Sequence, residues 1–212
     1  MSAGSYLTIA RDTQAETEAR RSRFLCTLER VEDEDAARAV VDRLRRAHHD
    51  ARHHCSAFVL GPPGGGQVVR SSDDGEPSGT AGAPMLEVLR GHGLADVVAV
   101  VTRWFGGTLL GAGGLVRAYG DAVRAAVDEA GTLRRGLLRE LALEVGHDVA
   151  GRVESDLRGR GVVVLDTAYG AAVTLRLGVP PAEEDAVHAL VAELSGGAAE
   201  ALVVGERWVD LR

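Results

Sequence analysis

Between residues 71 and 119, two glycine-rich loops each run straight into a helical pattern. SGTAGAP (78–84) precedes a short helix expected over 85–90, where Pro84 suits the first position. GGTLLGAGG (106–114) precedes a long helix expected over 115–130 and ended by Gly131. Glycine lets the backbone approach a ligand closely, and a helix start offers unpaired N–H groups at the positive end of the dipole. Each loop is therefore a candidate anion site: Gly79, Thr80 and Gly82 in the first, Gly106, Gly107, Gly111, Gly113 and Gly114 in the second. Arg103 and Arg117 bracket the second loop and would supply fixed charge for phosphate. The same glycines would equally serve tight turns and close helix–sheet approach with no ligand at all.

Known phosphate loops are excluded. The P-loop step Gly-Lys-Ser/Thr is absent, and the chain contains no lysine. The dinucleotide fingerprint begun at Gly111 would need glycine where Val116 stands. Asp73, Asp74 and Glu76 lie around Gly75. Carboxylates this close could hold Mg²⁺ or act as general acid and base, or they could form a solvated acidic turn. His48, His49, His53, His54 and Cys55 form a second cluster, but adjacent residues on a strand point to opposite faces, so two or three at most would converge. No metal site is assigned. Ser78 has no assignable base. Phe105 and Tyr119 are expected in the core, whereas Trp104 could sit there or stack a base.

The rest of the chain frames these loops. Strands are expected at 6–9, 24–31, 54–60, 67–71 and 96–105, with a helix within 32–49 whose acidic start and basic end suit the dipole. Residues 16–23 read as polar chain between strands. After about residue 135 the pattern becomes strand 138–145, helix 148–160, strands 162–167 and 171–177, helix 181–194 and strand 201–209. That is the β-α-β-β-α-β order of a ferredoxin-like unit. The expectation is a mixed α/β (α+β) chain of two domains, 1–135 and 136–212. The net charge of -7 argues against broad coating of DNA or anionic membrane. No run approaches the ~20 apolar residues of a membrane helix, and no signal peptide is evident, so a cytoplasmic protein with two free thiols is expected.

Four runs taken together, RRSRF (20–24), ARHHC (51–55), SDDGEPSGTAGAPML (72–86) and VTRWFGGTLLGAGGLVRAY (101–119), resemble the YigZ/IMPACT family in its bacterial two-domain branch. The resemblance implies a first domain like the second domain of a ribosomal protein and the fourth of elongation factor G. It implies a second domain like that factor's fifth. It also implies an association with translation and its regulation, with no settled enzymatic activity. Two readings follow. One is a non-enzymatic binding protein contacting RNA, a ribosomal component or a translation factor through the two glycine loops with Arg103, Trp104 and Arg117. The other is a phosphate- or nucleotide-binding enzyme holding Mg²⁺ on Asp73, Asp74 or Glu76.

Overall fold

A computed structural model describes residues 4–211. The chain is mixed α/β, with two antiparallel sheets and five helices among the described residues. It divides into two compact units, Tyr6–Arg134 and Arg135–Leu211, the latter joined by residues 4–5.

In the first unit the elements run β1 (Ser5–Ile9), β2 (Thr13–Ala19), β3 (Ser22–Arg30), α1 (Glu34–Ala47), β4 (His53–Leu60), β5 (Val68–Ser72), α2 (Gly82–Gly91), β6 (Val97–Trp104) and α3 (Ala112–Ala130). Strands β2-β3-β6-β4-β5 form one antiparallel sheet with β6 at its centre. Every residue from 97 to 103 is buried, so β6 is apolar on both faces until it reaches Thr102 and Arg103. Val98 and Val100 face α1, where they pack with Ala37, Val40, Leu44, Phe58 and Leu60. The other face carries Phe24, Arg103 and His53 in one cross-strand row, with Cys26, Val101 and Cys55 in the next. Helices α2 and α3 cover this second face. Asp33 caps α1 by accepting from the Ala36 N–H at 2.7 Å, and acidic Glu34 and Asp35 occupy its first turn.

Strand β2 was not expected from the sequence. Thr13, Ala15, Thr17 and Ala19 are half-buried while Gln14, Glu16 and Glu18 are exposed, an alternation too weakly apolar to stand out. Its hairpin to β3 also lacks the usual turn signal. The two-residue turn between Ala19 and Ser22 holds Arg20 at φ +45 and Arg21 at φ +66. Such turns favour Asn-Gly, because positive φ costs other residues about 1–3 kcal/mol each.

The second unit follows the order β7 (Thr132–Val145), α4 (His147–Gly159), β8 (Val163–Tyr169), β9 (Val173–Val179), α5 (Glu184–Ser195) and β10 (Ala201–Leu211). Its strands lie in the order β10-β7-β9-β8, the arrangement of the split β-α-β-β-α-β fold. Strand β7 begins at Thr132 rather than at 138. Leu141, Leu143, Leu175 and Leu177 form the core with Val153, Leu157, Val187 and Val191 from the two helices. Elsewhere on β7, Glu140 accepts hydrogen bonds from Arg207 and, at 3.2 Å, from Arg176. Among the described residues no helix is long and apolar enough to cross a membrane.

Candidate functional site

The first glycine loop is already occupied by the chain itself. Helix α2 has Ala81 at its N-cap, with no side-chain cap of its own. The Asp73 carboxylate takes that role from the end of the β4-β5 hairpin. One oxygen accepts from the Ala81 and Gly82 N–H groups at 3.0 and 2.8 Å, and the other accepts from Gly79 at 2.8 Å. Burial works against the charged form of Asp73. The three backbone donors, Gly79, Gly82 and Ala81, outweigh it and hold the carboxyl below its usual range. Gly82 is required for the same fit, because a Cβ there would lie 2.8 Å from the Ser72 nitrogen. Pro84 is the third helical residue, since the helix begins at Gly82. Thr80 donates to the Pro77 carbonyl at 2.6 Å, and Ser78 is exposed.

The neighbouring carboxylates are held just as firmly, and separately. Asp74 (φ +41) accepts from the Arg45 guanidinium and from the His54 N–H, both at 2.6 Å. Its carbonyl lies 2.8 Å from His53 Nδ1, which fixes the proton on that nitrogen. Gly75, at φ +85, lets the turn lie against the His53 ring. Glu76 turns inward. Asp73, Asp74 and Glu76 thus have three different sets of partners. Among the described residues, no group of three or more His, Cys, Asp and Glu is placed to hold a metal ion.

Glu76 forms the centre of the buried face. Its Oε1 accepts from Arg103 Nη1 and, at 2.8 Å, from the Tyr119 hydroxyl, and it lies 3.9 Å from His53 Nε2. Arg103 reaches Ser22 Oγ at 3.4 Å, and its guanidinium sits 5.4 Å from the Phe24 ring centre. The Cys55 thiol lies 3.3 Å from the Tyr119 hydroxyl and 3.0 Å from the Asp73 carbonyl. Burial pushes the Cys55 thiol up to about 12, so it is not a thiolate nucleophile at neutral pH. Burial also raises the Tyr119 phenol, which stays protonated and donates to Glu76. Arg103, which the sequence leaves open between a phosphate contact and an ion pair with Asp73, Asp74 or Glu76, is the buried ion-pair partner of Glu76. Glu76 from the first loop, Arg103 before the second loop and Tyr119 from α3 therefore tie the two loops to one point. Ser22, Phe24, His53 and Cys55 complete this cluster. The RRSRF and ARHHC runs contained them, but only the cross-strand register brings them together.

The second loop presents a different chemistry. Gly106 donates to Ser22 Oγ at 3.2 Å and lies so close to the hairpin turn that a Cβ would fall 2.0 Å from the Arg21 carbonyl. Gly107 and Gly111 adopt φ +84 and +72, and Gly111 is the N-cap of α3, without a side-chain cap. Gly113 has open space where a side chain would stand, and Gly114 rests against Leu110. Arg117 is exposed and donates back to the Gly113 carbonyl at 3.3 Å. Arg20 donates to the Leu109 carbonyl at 3.0 Å. Trp104 is half-buried. Arg23 lies over its ring at 3.8 Å, and its Nε1 donates to Asp50 at 2.8 Å. Phe105 is 42% exposed, which corrects the expectation of a core residue. It leaves the sheet just past the end of β6, and Arg52 approaches its ring at 5.9 Å.

Comparison with known proteins matches this architecture. The Impact N-terminal domain matches residues 20–127, which include both loops and the Glu76 cluster. A domain of unknown function, DUF1949, matches residues 143–198. The IMPACT family member YigZ of Escherichia coli (strain K12) is 39% identical over 202 residues, covering 95% of this chain and 99% of that protein. The IMPACT family member YvyE of Bacillus subtilis (strain 168) is 38% identical over 193 residues, covering 91% and 88%. A crystal structure described as that of a hypothetical protein aligns with TM-score 0.67 at 39% identity, over 95% of this chain and 98% of that one.

Proposed function

The chain belongs to the IMPACT family, and on that footing we propose that it is a non-enzymatic, translation-associated protein that binds RNA through the second glycine loop and the arginines around it. One observation carries the reading. In a chain with net charge -7, two consecutive aromatics at the end of β6 lie beside arginines: Arg23 is 3.8 Å over Trp104, and Phe105 is flanked by exposed Arg52 at 5.9 Å and the buried Arg103 at 5.8 Å. Exposed Arg20 and Arg21 form the hairpin turn that touches this loop, and exposed Arg117 stands on the start of α3 just after it. Aromatic and guanidinium planes stack unpaired bases, while exposed arginines contact phosphates. The enzyme reading has less support, because each carboxylate it would use is already engaged by protein donors.

Fluorescence anisotropy with a short labelled single-stranded RNA tests the proposal. Binding should weaken as salt rises, and Trp104→Ala with Arg52→Ala should reduce affinity roughly tenfold or more. A wild-type chain that fails to bind at low salt would overturn it.

A further inference from the structure

We infer that the Arg20–Arg21 turn is a preformed clamp for the phosphodiester backbone of single-stranded RNA, an assignment that rests on the RNA reading above and makes it specific. Both central residues of this turn sit at positive φ, where Asn-Gly would sit without strain, yet both are arginine. The strained backbone is held in place from behind. Gly106 presses against the Arg21 carbonyl, and Ser22 Oγ accepts from both Gly106 N–H and Arg103. Arg103 is in turn anchored by the buried Glu76. The turn therefore cannot relax without disturbing the cluster that ties the two loops together.

The two side chains divide the work. Arg20 donates to the Leu109 carbonyl and joins the turn to the second loop. Arg21 is exposed and makes no side-chain hydrogen bond or ion pair within the described residues. A planar guanidinium on a rigid turn suits a phosphodiester, because its N–H fork needs little ordering when the anion arrives. Two residues on, Arg23 lies over Trp104, so a strand gripped at Arg21 has a stacking surface for its bases close by.

The closing experiment uses the full chain, the same labelled RNA and a thermal melt. Arg20→Asn with Arg21→Gly relieves the strain and removes both charges. Affinity should fall roughly tenfold, the slope of log affinity against log salt should flatten by about one, and the melting temperature should rise by roughly 5 °C or more, since relief at two strained residues shifts it by about 2–4 °C per kcal/mol. Removing two exposed arginines of the second unit, Arg158→Ala with Arg160→Ala, should leave binding unchanged. If the wild type binds and the Asn-Gly variant binds equally well, the clamp is wrong and the RNA reading stands. Equal losses in both double variants would also overturn the clamp, because charge alone would then explain them. A lower melting temperature for the Asn-Gly variant would remove the strain argument. If the wild type does not bind, both readings fall together.

Discussion

Among the described residues, Glu76 in the first unit and Glu140 in the second are both buried carboxylates held between two donors, and they differ in how far those donors are open to water. In the first, the Glu76 side chain is 4% exposed and Arg103 is 7% exposed, with the Tyr119 phenol as second donor. In the second, Glu140 is bonded by Arg207 and Arg176, whose side chains are about half exposed, at 48% and 49%. Glu76 has one buried guanidinium and a phenol, whereas Glu140 has two guanidinia that water reaches. A buried pair has little net value over an apolar one, yet losing one partner strands a charge. An exposed pair exchanges readily with solvent and salt. The first arrangement fixes loop geometry. The second holds neighbouring strands loosely together.

The sharpest way to break this contrast is Arg103→Ala, which leaves Glu76 buried without its cation and should cost about 3–5 kcal/mol in denaturant unfolding. Pairing Arg103→Met with Glu76→Leu should recover most of that loss. A single variant as stable as wild type would put Glu76 in the same class as Glu140.

Tyr119→Phe comes next. It removes a donor to Glu76 and an acceptor near Cys55 while keeping the ring on Phe24, 5.2 Å away between centroids. A hydrogen bond to a charged group is worth about 1.5–3 kcal/mol, and a urea midpoint at unchanged slope should show a loss of that order.

Asp73→Ala should cost about 1–2 kcal/mol, because it uncaps α2. Its pH dependence has a definite sign. The folded carboxyl lies below its ordinary value, so its stabilisation is fully present above about pH 4 and is lost as pH falls through the lowered folded value. The gap between wild type and Asp73→Ala should therefore be constant near neutrality and close in acid. A gap that widened in acid would contradict the capping role.

The smallest effect should come from Glu140→Gln, about 1 kcal/mol or less and diminished further by salt. A loss as large as that of Arg103→Ala would erase the distinction between the units.

Much of this architecture can be read directly in the sequence. β6 announces itself as an unbroken apolar run, α1 by its spacing and charged ends, and the β-α-β-β-α-β order by its succession of patterns. β2 escapes because an edge strand needs only Thr and Ala inward, and because its turn is Arg-Arg where Asn-Gly would have signalled a hairpin. At the site, the residue set is legible but the pairing is not. Arg103 and Glu76 are 27 positions apart, and only the β3-β6-β4 register and the return of α3 bring Tyr119 to both. At 78–84 the backbone N–H groups that suggest an anion site are met by the Asp73 carboxylate, a partner that loop chemistry alone does not name.

Gly106 has a practical consequence for saturation mutagenesis. Every other amino acid there drives its first side-chain carbon into the Arg21 carbonyl. A screen for function would return an empty column at that position, the usual signature of a residue that touches the ligand. The defect would lie in assembly of the hairpin against the loop. Soluble yield and melting temperature, measured alongside the functional score, would separate a collapsed variant from a disarmed one.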